Sequence, residues 1–320
     1  MNNFCTLFDS HYLTRGLAMY RSLEATSAEF QMYIYAFDTQ CYNILFRMIL
    51  PRTTIVSLAE FEDEKLLAVK PDRSRGEYCW TCTSHVIGHA LKTFGLAEVT
   101  YVDADLYFFS NPLPIFEEFG AAKASVLLTE HRYSPYFDKS KLYGKFCVQF
   151  MTFLNNENGL SVLNWWQDRC IEWCYATPED GKFGDQKYLD CWPEKFPGIH
   201  VLKHPGGLAP WNIQQHRLEK LDDDDDHLLV DGLPVVFYHF QNYNWYEDGS
   251  HWLGNFRLNK RVVDLIYRPY VRALEESMHL VRGVIPSFDA GVSQREKSCG
   301  SLFWDFINRL KGNYNIYKAL

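Results

Sequence analysis

Short apolar runs and amphipathic segments alternate through the first hundred residues of the sequence, and few architectures accept that order. Phe4 to Phe8 is an apolar run ending in Asp9-Ser10, after which Leu13, Leu17, Tyr20 and Leu23 recur at helical spacing. Gln31 to Phe37 reads as a buried strand closed by Asp38; Thr39 to Leu50 reads as a helix stopped by Pro51, and Thr53 to Leu58 as another strand. Thr83 to Phe94 carries Val86, Ile87, Ala90, Leu91 and Phe94 before Gly95, a helix stop. Strand, helix and strand joined by short connections predict an α/β protein built on a mainly parallel sheet flanked by helices.

Composition narrows the function classes. Of 320 residues, 47% are hydrophobic and 16% aromatic, enough to offset the entropy of ordering, so the chain is not intrinsically disordered. A net charge of −8 offers no general attraction to a polyanion, which sets nucleic-acid binding aside. The start, MNNFCTLFDSHYL, lacks the basic and apolar regions of a signal peptide, and no apolar run is long enough to span a bilayer, so a cytoplasmic chain is expected. Nine cysteines without a secretion signal predict reduced thiols. Cys79 and Cys82 have the gap of a zinc or redox half-site but no second pair answers them, so core packing is the plainer reading. The same holds for Cys170 and Cys174.

Strand-like runs follow at Ser125 to Thr129, Val148 to Leu154, Ile199 to Leu202 and Val235 to Phe240, with a helix between Leu160 and Tyr175. No internal repeat or Pro/Ser-rich linker divides residues 1–256, which read as one domain, and residues 257–320 read as a helical C-terminal extension. Its Ser301 to Tyr314 segment mixes aromatic and basic residues and either packs on the domain or lies on a membrane surface. The acidic run Asp222 to Asp226 reads as a solvated loop without the calcium-loop pattern.

The chemistry concentrates where Val99 to Val102 runs into Asp103-Ala104-Asp105. A buried strand here delivers two carboxylates at its carboxyl end, the edge at which open α/β sheets bind ligands. A turn at that point lets both converge on one hard cation, and oxygen ligands suit Mg²⁺ or Mn²⁺.

Five ordered motifs then align: Thr6-Leu-Phe-Asp9-Ser-His-Tyr12, Tyr101-Val-Asp103-Ala-Asp105, Gly184-Asp185-Gln186, His204-Pro-Gly-Gly-Leu-Ala-Pro-Trp211-Asn212 and Phe237-Tyr-His239-Phe. Together, over Phe4 to Tyr243, they resemble a GT-A glycosyltransferase, in particular glycosyltransferase family 8 and its bacterial relatives that build surface polysaccharides such as lipopolysaccharide. The resemblance implies a Rossmann-like nucleotide-diphospho-sugar transferase fold and a hexosyltransferase (EC 2.4). Such an enzyme moves sugar from a nucleotide diphosphate sugar to a glycan or lipid-linked acceptor, with Mn²⁺ or Mg²⁺ as cofactor. It places the chain in the cytoplasm, with peripheral contact to the inner membrane as a further option.

Residue by residue, the resemblance assigns metal binding to Asp103, Asp105 and one histidine. His239 is favoured because it ends an apolar strand as the Asp103 motif does, which would let both reach the same sheet edge, and His204 is the other choice. Asp185 is implied to orient the donor sugar and Gln186 to face the anomeric centre, with retention of configuration; the plainer reading of Asp185 is a helix N-cap. Thr6, Asp9, Tyr12, Asp38, Trp80 and Ala104 are implied around the nucleotide sugar, and Glu77 and Thr81 lead into the same helix. Trp211 and Asn212 are candidates for the acceptor cleft, or else part of an aromatic core. The motif's lysine is Ala209 here, which leaves Lys203, His204, His216 or Arg217 to meet phosphate charge. Two other classes remain as alternatives. A sugar nucleotidyltransferase would need a glycine-rich basic loop that Phe4 to Leu13 lacks, and a non-catalytic sugar-binding scaffold would have no need of intact Asp103, Asp105 and Asp185.

Overall fold

A computed structural model describes residues 1–220, 227–295, 307–308, 313–318 and 320. The acidic run Asp222 to Asp226 lies outside the described residues, as does most of the Ser301 to Tyr314 segment. The chain forms two compact units, each assembled from three separate stretches.

The first unit takes Met1–Asp9, Ser27–Ala104 and Pro112–His204. Its strands are β1 (Asn2–Phe8), β2 (Phe30–Ala36), β3 (Thr53–Ser57), β4 (Glu98–Val102), β6 (Val126–Glu130), β7 (Phe146–Leu154) and β8 (Ile199–Val201), in the sheet order β3-β2-β1-β4-β7-β6-β8. All neighbours are parallel except those of β7, which runs against β4 and β6. Helices α2 (Thr39–Met48), α3 (Leu58–Phe61), α4 (Glu64–Val69), α5 (Arg75–Thr93), α6 (Leu113–Ala122), α7 (Ser140–Tyr143), α8 (Glu157–Glu172) and α9 (Trp192–Lys195) connect the strands. Phe4 to Phe8 of β1 and Phe146 to Phe153 of β7 are buried along their whole length, as expected of strands covered on both faces. The expected parallel α/β sheet is therefore present.

Helix α5 begins two turns before the expected Thr83. Its start is set by a capping box: the Ser74 hydroxyl accepts from the Glu77 N–H at 3.4 Å, and the Glu77 carboxylate accepts from the Ser74 N–H at 2.8 Å. Val86, Ile87 and Ala90 of this helix join the unit's core together with Trp166 and Trp192. The Trp166 ring lies parallel to Phe153 at 6.3 Å and edge-on to Trp192 at 5.3 Å, all fully buried.

The second unit takes Ser10–Thr26, Asp105–Asn111 and Pro205–Leu320. It contains α1 (Leu13–Thr26) and β5 (Leu106–Phe108), then β9 (Gly207–Leu208), β10 (Leu218–Lys220), β11 (Leu228–Val230), β12 (Leu233–Pro234), β13 (Phe237–His239), β14 (Asn244–Tyr246), β15 (His251–Trp252), β16 (Val292–Ser293) and β17 (Ile316–Tyr317). These form three small sheets, ordered β10-β11-β12, β5-β13-β9 and β16-β14-β15-β17. The helical segment expected after Arg257 runs from α10 (Lys260–Val262) through a π-turn at Val263–Tyr267 into α11 (Arg268–Val284). Its aromatic core includes Phe240 stacked on Tyr270 at 3.6 Å, with Tyr238 and Tyr267 edge to face.

The Val235 to Phe240 run departs from the expectation that it reaches the sheet edge of the Asp103 strand. Only Phe237–His239 is a strand, and it pairs with the short β5 and with β9 in a separate sheet. Gly207 of β9 faces Phe237 so closely that a Cβ there would stand 2.8 Å from the ring, which requires glycine. Among the described residues, no helix is long and apolar enough to cross a membrane.

Replacing Trp166 by Ala removes a fully buried indole and should destabilise the protein by about 3–5 kcal/mol, read as a lower urea midpoint. A loss below about 1 kcal/mol would show that this core is not close-packed there.

Candidate active site

The chain turns at Ala104 and Asp105 as it leaves β4, so Asp103 and Asp105 fall on either side of a tight bend. The Asp103 N–H donates to the Gln149 carbonyl at 3.0 Å, and the buried Tyr101 hydroxyl donates to Asp103 Oδ1 at 3.0 Å. Beyond the bend, antiparallel pairing sets His239 opposite Leu106, and the Phe240 N–H donates to the Asp105 carbonyl at 2.9 Å. That register brings His239 Nε2 to 3.1 Å from Asp105 Oδ1. Trp211 packs its ring perpendicular to the imidazole at 5.3 Å.

Asp103, Asp105 and His239 each offer a ligand atom within 4.8 Å of the others, and they form a group among the described residues that could hold a metal ion. Two carboxylate oxygens and one imidazole nitrogen fit a hard divalent cation with positions left open. Burial works to raise the Asp105 carboxyl, but the charge and hydrogen bond of His239, followed by the charge of Arg15, hold it below the usual carboxylate range.

Asp185 lies in the first unit, just before a 3-10 turn at Lys187–Cys191. Gln186, not Asp185, is the residue at the N-cap position and no side chain caps that turn, so the N-cap reading of Asp185 does not hold. Gly184 has φ +50° and packs on Trp80, where a Cβ would stand 3.2 Å from the indole; Trp166 Nε1–H fixes the next carbonyl, that of Asp185, at 2.8 Å. The Asp185 side chain is buried, and its Oδ2 has no hydrogen-bond partner among the described residues. Burial first, and then the negative charge of Asp103, push its carboxyl up to about 8. Gln186 Nε2 donates to the Tyr143 carbonyl at 2.6 Å.

The implied nucleotide residues fall into separate settings. Asp9 and Asp38 follow the adjacent parallel strands β1 and β2, and one guanidinium, Arg75, pairs with both; its contact with Asp38 is 3.0 Å. Asp38 also caps α2, accepting from the Cys41 N–H at 2.6 Å. Thr6 is fully buried with an unpartnered hydroxyl, and Ala104 is buried in the bend. Tyr12 is 43% exposed, with the Arg15 guanidinium 4.5 Å from its ring centre. Glu77 and Thr81 are taken up by α5: Glu77 closes the cap and accepts from the Ala176 N–H at 2.8 Å, while the Thr81 hydroxyl donates to the Glu77 carbonyl at 2.8 Å.

The remaining candidates are His204, Trp211 and Asn212. The His204 N–H donates to Glu118 at 2.9 Å and its carbonyl accepts from Arg132 at 3.0 Å. Trp211 and Asn212 are interior residues, with 3% and 1% exposure, and Asn212 Oδ1 ties off the Ala209 N–H at 2.9 Å. Trp211 thus packs against His239, and Asn212 holds the turn at Ala209. The described cysteines are all free, and burial raises the Cys79 thiol to about 12, as inert core thiols require. Reading the sequence missed Arg75, Arg15 and Tyr101. The Ser74-x-x-Glu77 signature marked the helix start that carries Arg75, whereas nothing local marks the other two.

No protein-family model matches the chain. The chain is similar in fold to the galactosyltransferase LgtC, solved in complex with donor and acceptor sugar analogs. The match has a TM-score of 0.53 at 11% identity and covers 86% of this chain and 95% of LgtC. The architecture is thus the GT-A glycosyltransferase fold, with its mixed, mainly parallel sheet. Among curated proteins, the uncharacterized protein YfnF of Bacillus subtilis (strain 168) is 34% identical over 249 residues, 75% of this chain and 81% of YfnF. The uncharacterized protein YfnD of the same strain is 31% identical over 299 residues, 90% of this chain and 94% of YfnD. At that identity and coverage, the chain belongs to the family of YfnD and YfnF.

Proposed function

We propose that this protein is a divalent-metal-dependent glycosyltransferase that moves a hexosyl group from a nucleotide diphosphate sugar to a glycan or lipid-linked glycan, with retention of configuration. The observation that carries this reading is the Asp103, Asp105 and His239 group at the end of a buried strand in a GT-A fold. Those three residues would hold Mn²⁺ or Mg²⁺, which when bound stabilises negative charge on a departing diphosphate as a Lewis acid. Residues 1–256 form the catalytic domain in this reading, and 257–320 its helical extension.

The protein's own side chains supply the rest. Asp185, with one carboxylate oxygen unpartnered, accepts hydrogen bonds from donor sugar hydroxyls. Gln186 has its amide nitrogen committed to the Tyr143 carbonyl, so its Oε1 is the end that faces positive charge developing at the anomeric carbon. Tyr12 has the exposure to stack on the base, and Asp9 and Asp38 the acceptors for its ribose or base N–H groups. Tyr101 holds Asp103 in one orientation, and Trp211 does the same for His239.

Incubating the purified protein with a panel of nucleotide sugars and Mn²⁺ should release a nucleoside diphosphate, and Asp105→Ala should abolish that release while circular dichroism stays unchanged. Release of pyrophosphate would point instead to nucleotidyl transfer, and binding without turnover to a scaffold. Mn²⁺ titration should show His239→Ala weakening binding at least about tenfold, by analogy with lost metal-site partners, while His204→Ala leaves it intact. The reverse pattern would move the third ligand to His204. Asp185→Asn should lower kcat by at least about a hundredfold, a loss typical of one transition-state contact. Unchanged kcat would remove Asp185 from the chemistry, and an inverted product anomer by NMR would overturn retention.

A further inference from the structure

Ala209 stands where the resembled motif has a lysine, so charge on a donor's diphosphate needs another cation. The basic residues beside that motif are poor replacements. His216 Nδ1 lies 2.6 Å from Asp231, and Arg217 Nε lies 2.5 Å from Glu219, so both are already matched to carboxylates. Burial keeps the His204 imidazole below its ordinary pKa, which disfavours a positive charge there, and Lys203 is an exposed side chain.

Arg15 is different. It sits in the first turn of α1 at 7% exposure, and a guanidinium buried that deeply normally has a carboxylate to pair with. Its hydrogen bonds go instead to two main-chain carbonyls, His11 O at 3.1 Å and Tyr243 O at 3.2 Å. The rings of Tyr12 and Tyr243 lie 4.5 and 5.8 Å from its centre. No carboxylate of the described residues is within ion-pair distance. Tyr243, whose carbonyl Arg15 bonds, closes a turn on Phe240, and the Phe240 N–H donates to the Asp105 carbonyl at 2.9 Å. The result is a buried cation held against an exposed tyrosine ring and tied to the turn that follows Phe240, with donors beyond the two bonds it makes.

We propose that Arg15 is the residue that receives the diphosphate of the nucleotide donor, in the role left open by Ala209. The inference rests on the donor reading given above and adds to it the residue that meets the phosphates. A guanidinium presents parallel N–H groups that match two phosphate oxygens at once, which an ammonium does not. The carbonyls of His11 and Tyr243 and the face of Tyr12 hold the fork in place before the ligand arrives, so little side-chain entropy is lost on binding. An incoming diphosphate also supplies the negative partner that the burial of Arg15 otherwise lacks.

The test is calorimetric titration of UDP, GDP and the matching nucleosides, with Mn²⁺, into wild type, Arg15→Gln and Arg15→Lys, with melting temperature as a check on folding. For the diphosphate that wild type binds, Arg15→Gln should lose about tenfold to a hundredfold in affinity, the range for a charged hydrogen bond, while the nucleoside binds as before. Arg15→Lys should recover part of the loss. Should Arg15→Gln fail to fold, Arg15→Lys alone decides, by a loss confined to the diphosphate. Equal losses for nucleoside and diphosphate would make Arg15 a strut for Tyr12 and overturn the proposal, as would unchanged diphosphate affinity. A wild-type protein that binds neither diphosphate, with or without Mn²⁺, would overturn the donor reading and this inference with it.

Discussion

Carboxylates gathered at the end of one apolar strand are the constraint around which this molecule is organised. An apolar strand ends in Asp103 and, one bend later, Asp105, and a third carboxylate, Asp185, is buried close enough for the charge of Asp103 to act on it. Carboxylates so placed resist ionisation unless something positive or hydrogen-bonding faces them. The protein answers each differently. Asp105 meets His239 and the field of Arg15, Asp103 meets the Tyr101 hydroxyl, and Asp185 keeps one oxygen without any partner.

Backbone pairing does the positioning. His239 reaches Asp105 because the antiparallel register of β13 against β5 sets it opposite Leu106, and a slip of one residue would turn its side chain to the other face. Gly207 lets β9 approach Phe237 on the other side of β13, and Trp211 then walls the imidazole. On Asp185 the same work is done by Gly184, Trp80 and the Trp166 indole, which belongs to the core of the first unit. The sites therefore inherit rigidity from aromatic packing, and the high aromatic content has a structural use besides any stacking on sugars.

Much of this was legible before the structure. Largely apolar runs such as Phe4 to Phe8 and Val148 to Leu154 read as strands, and the structure buries Phe4 to Phe8 and Val148 to Phe153 throughout. The Asp103 and Asp105 bend followed from a strand that runs straight into two carboxylates. Other features carried no local signal. Trp211 and Asn212 read equally as cleft or aromatic-core residues from their chemistry, and their burial comes from packing that composition does not encode. Arg75 joins Asp9 and Asp38 across gaps of tens of residues, a pairing set by the order of parallel strands.

The sequence by itself determined the strand and helix alternation, the carboxylate pair at a strand end and the set of histidines from which a third ligand could come, because periodicity and residue chemistry are local properties. Only the tertiary structure decided that Asp105 faces His239, that the chain divides into two units, and that Arg15 is buried with no carboxylate of the described residues paired to it. Those outcomes depend on strand register and on which distant segments share a core, and both are fixed by contacts between residues far apart along the chain.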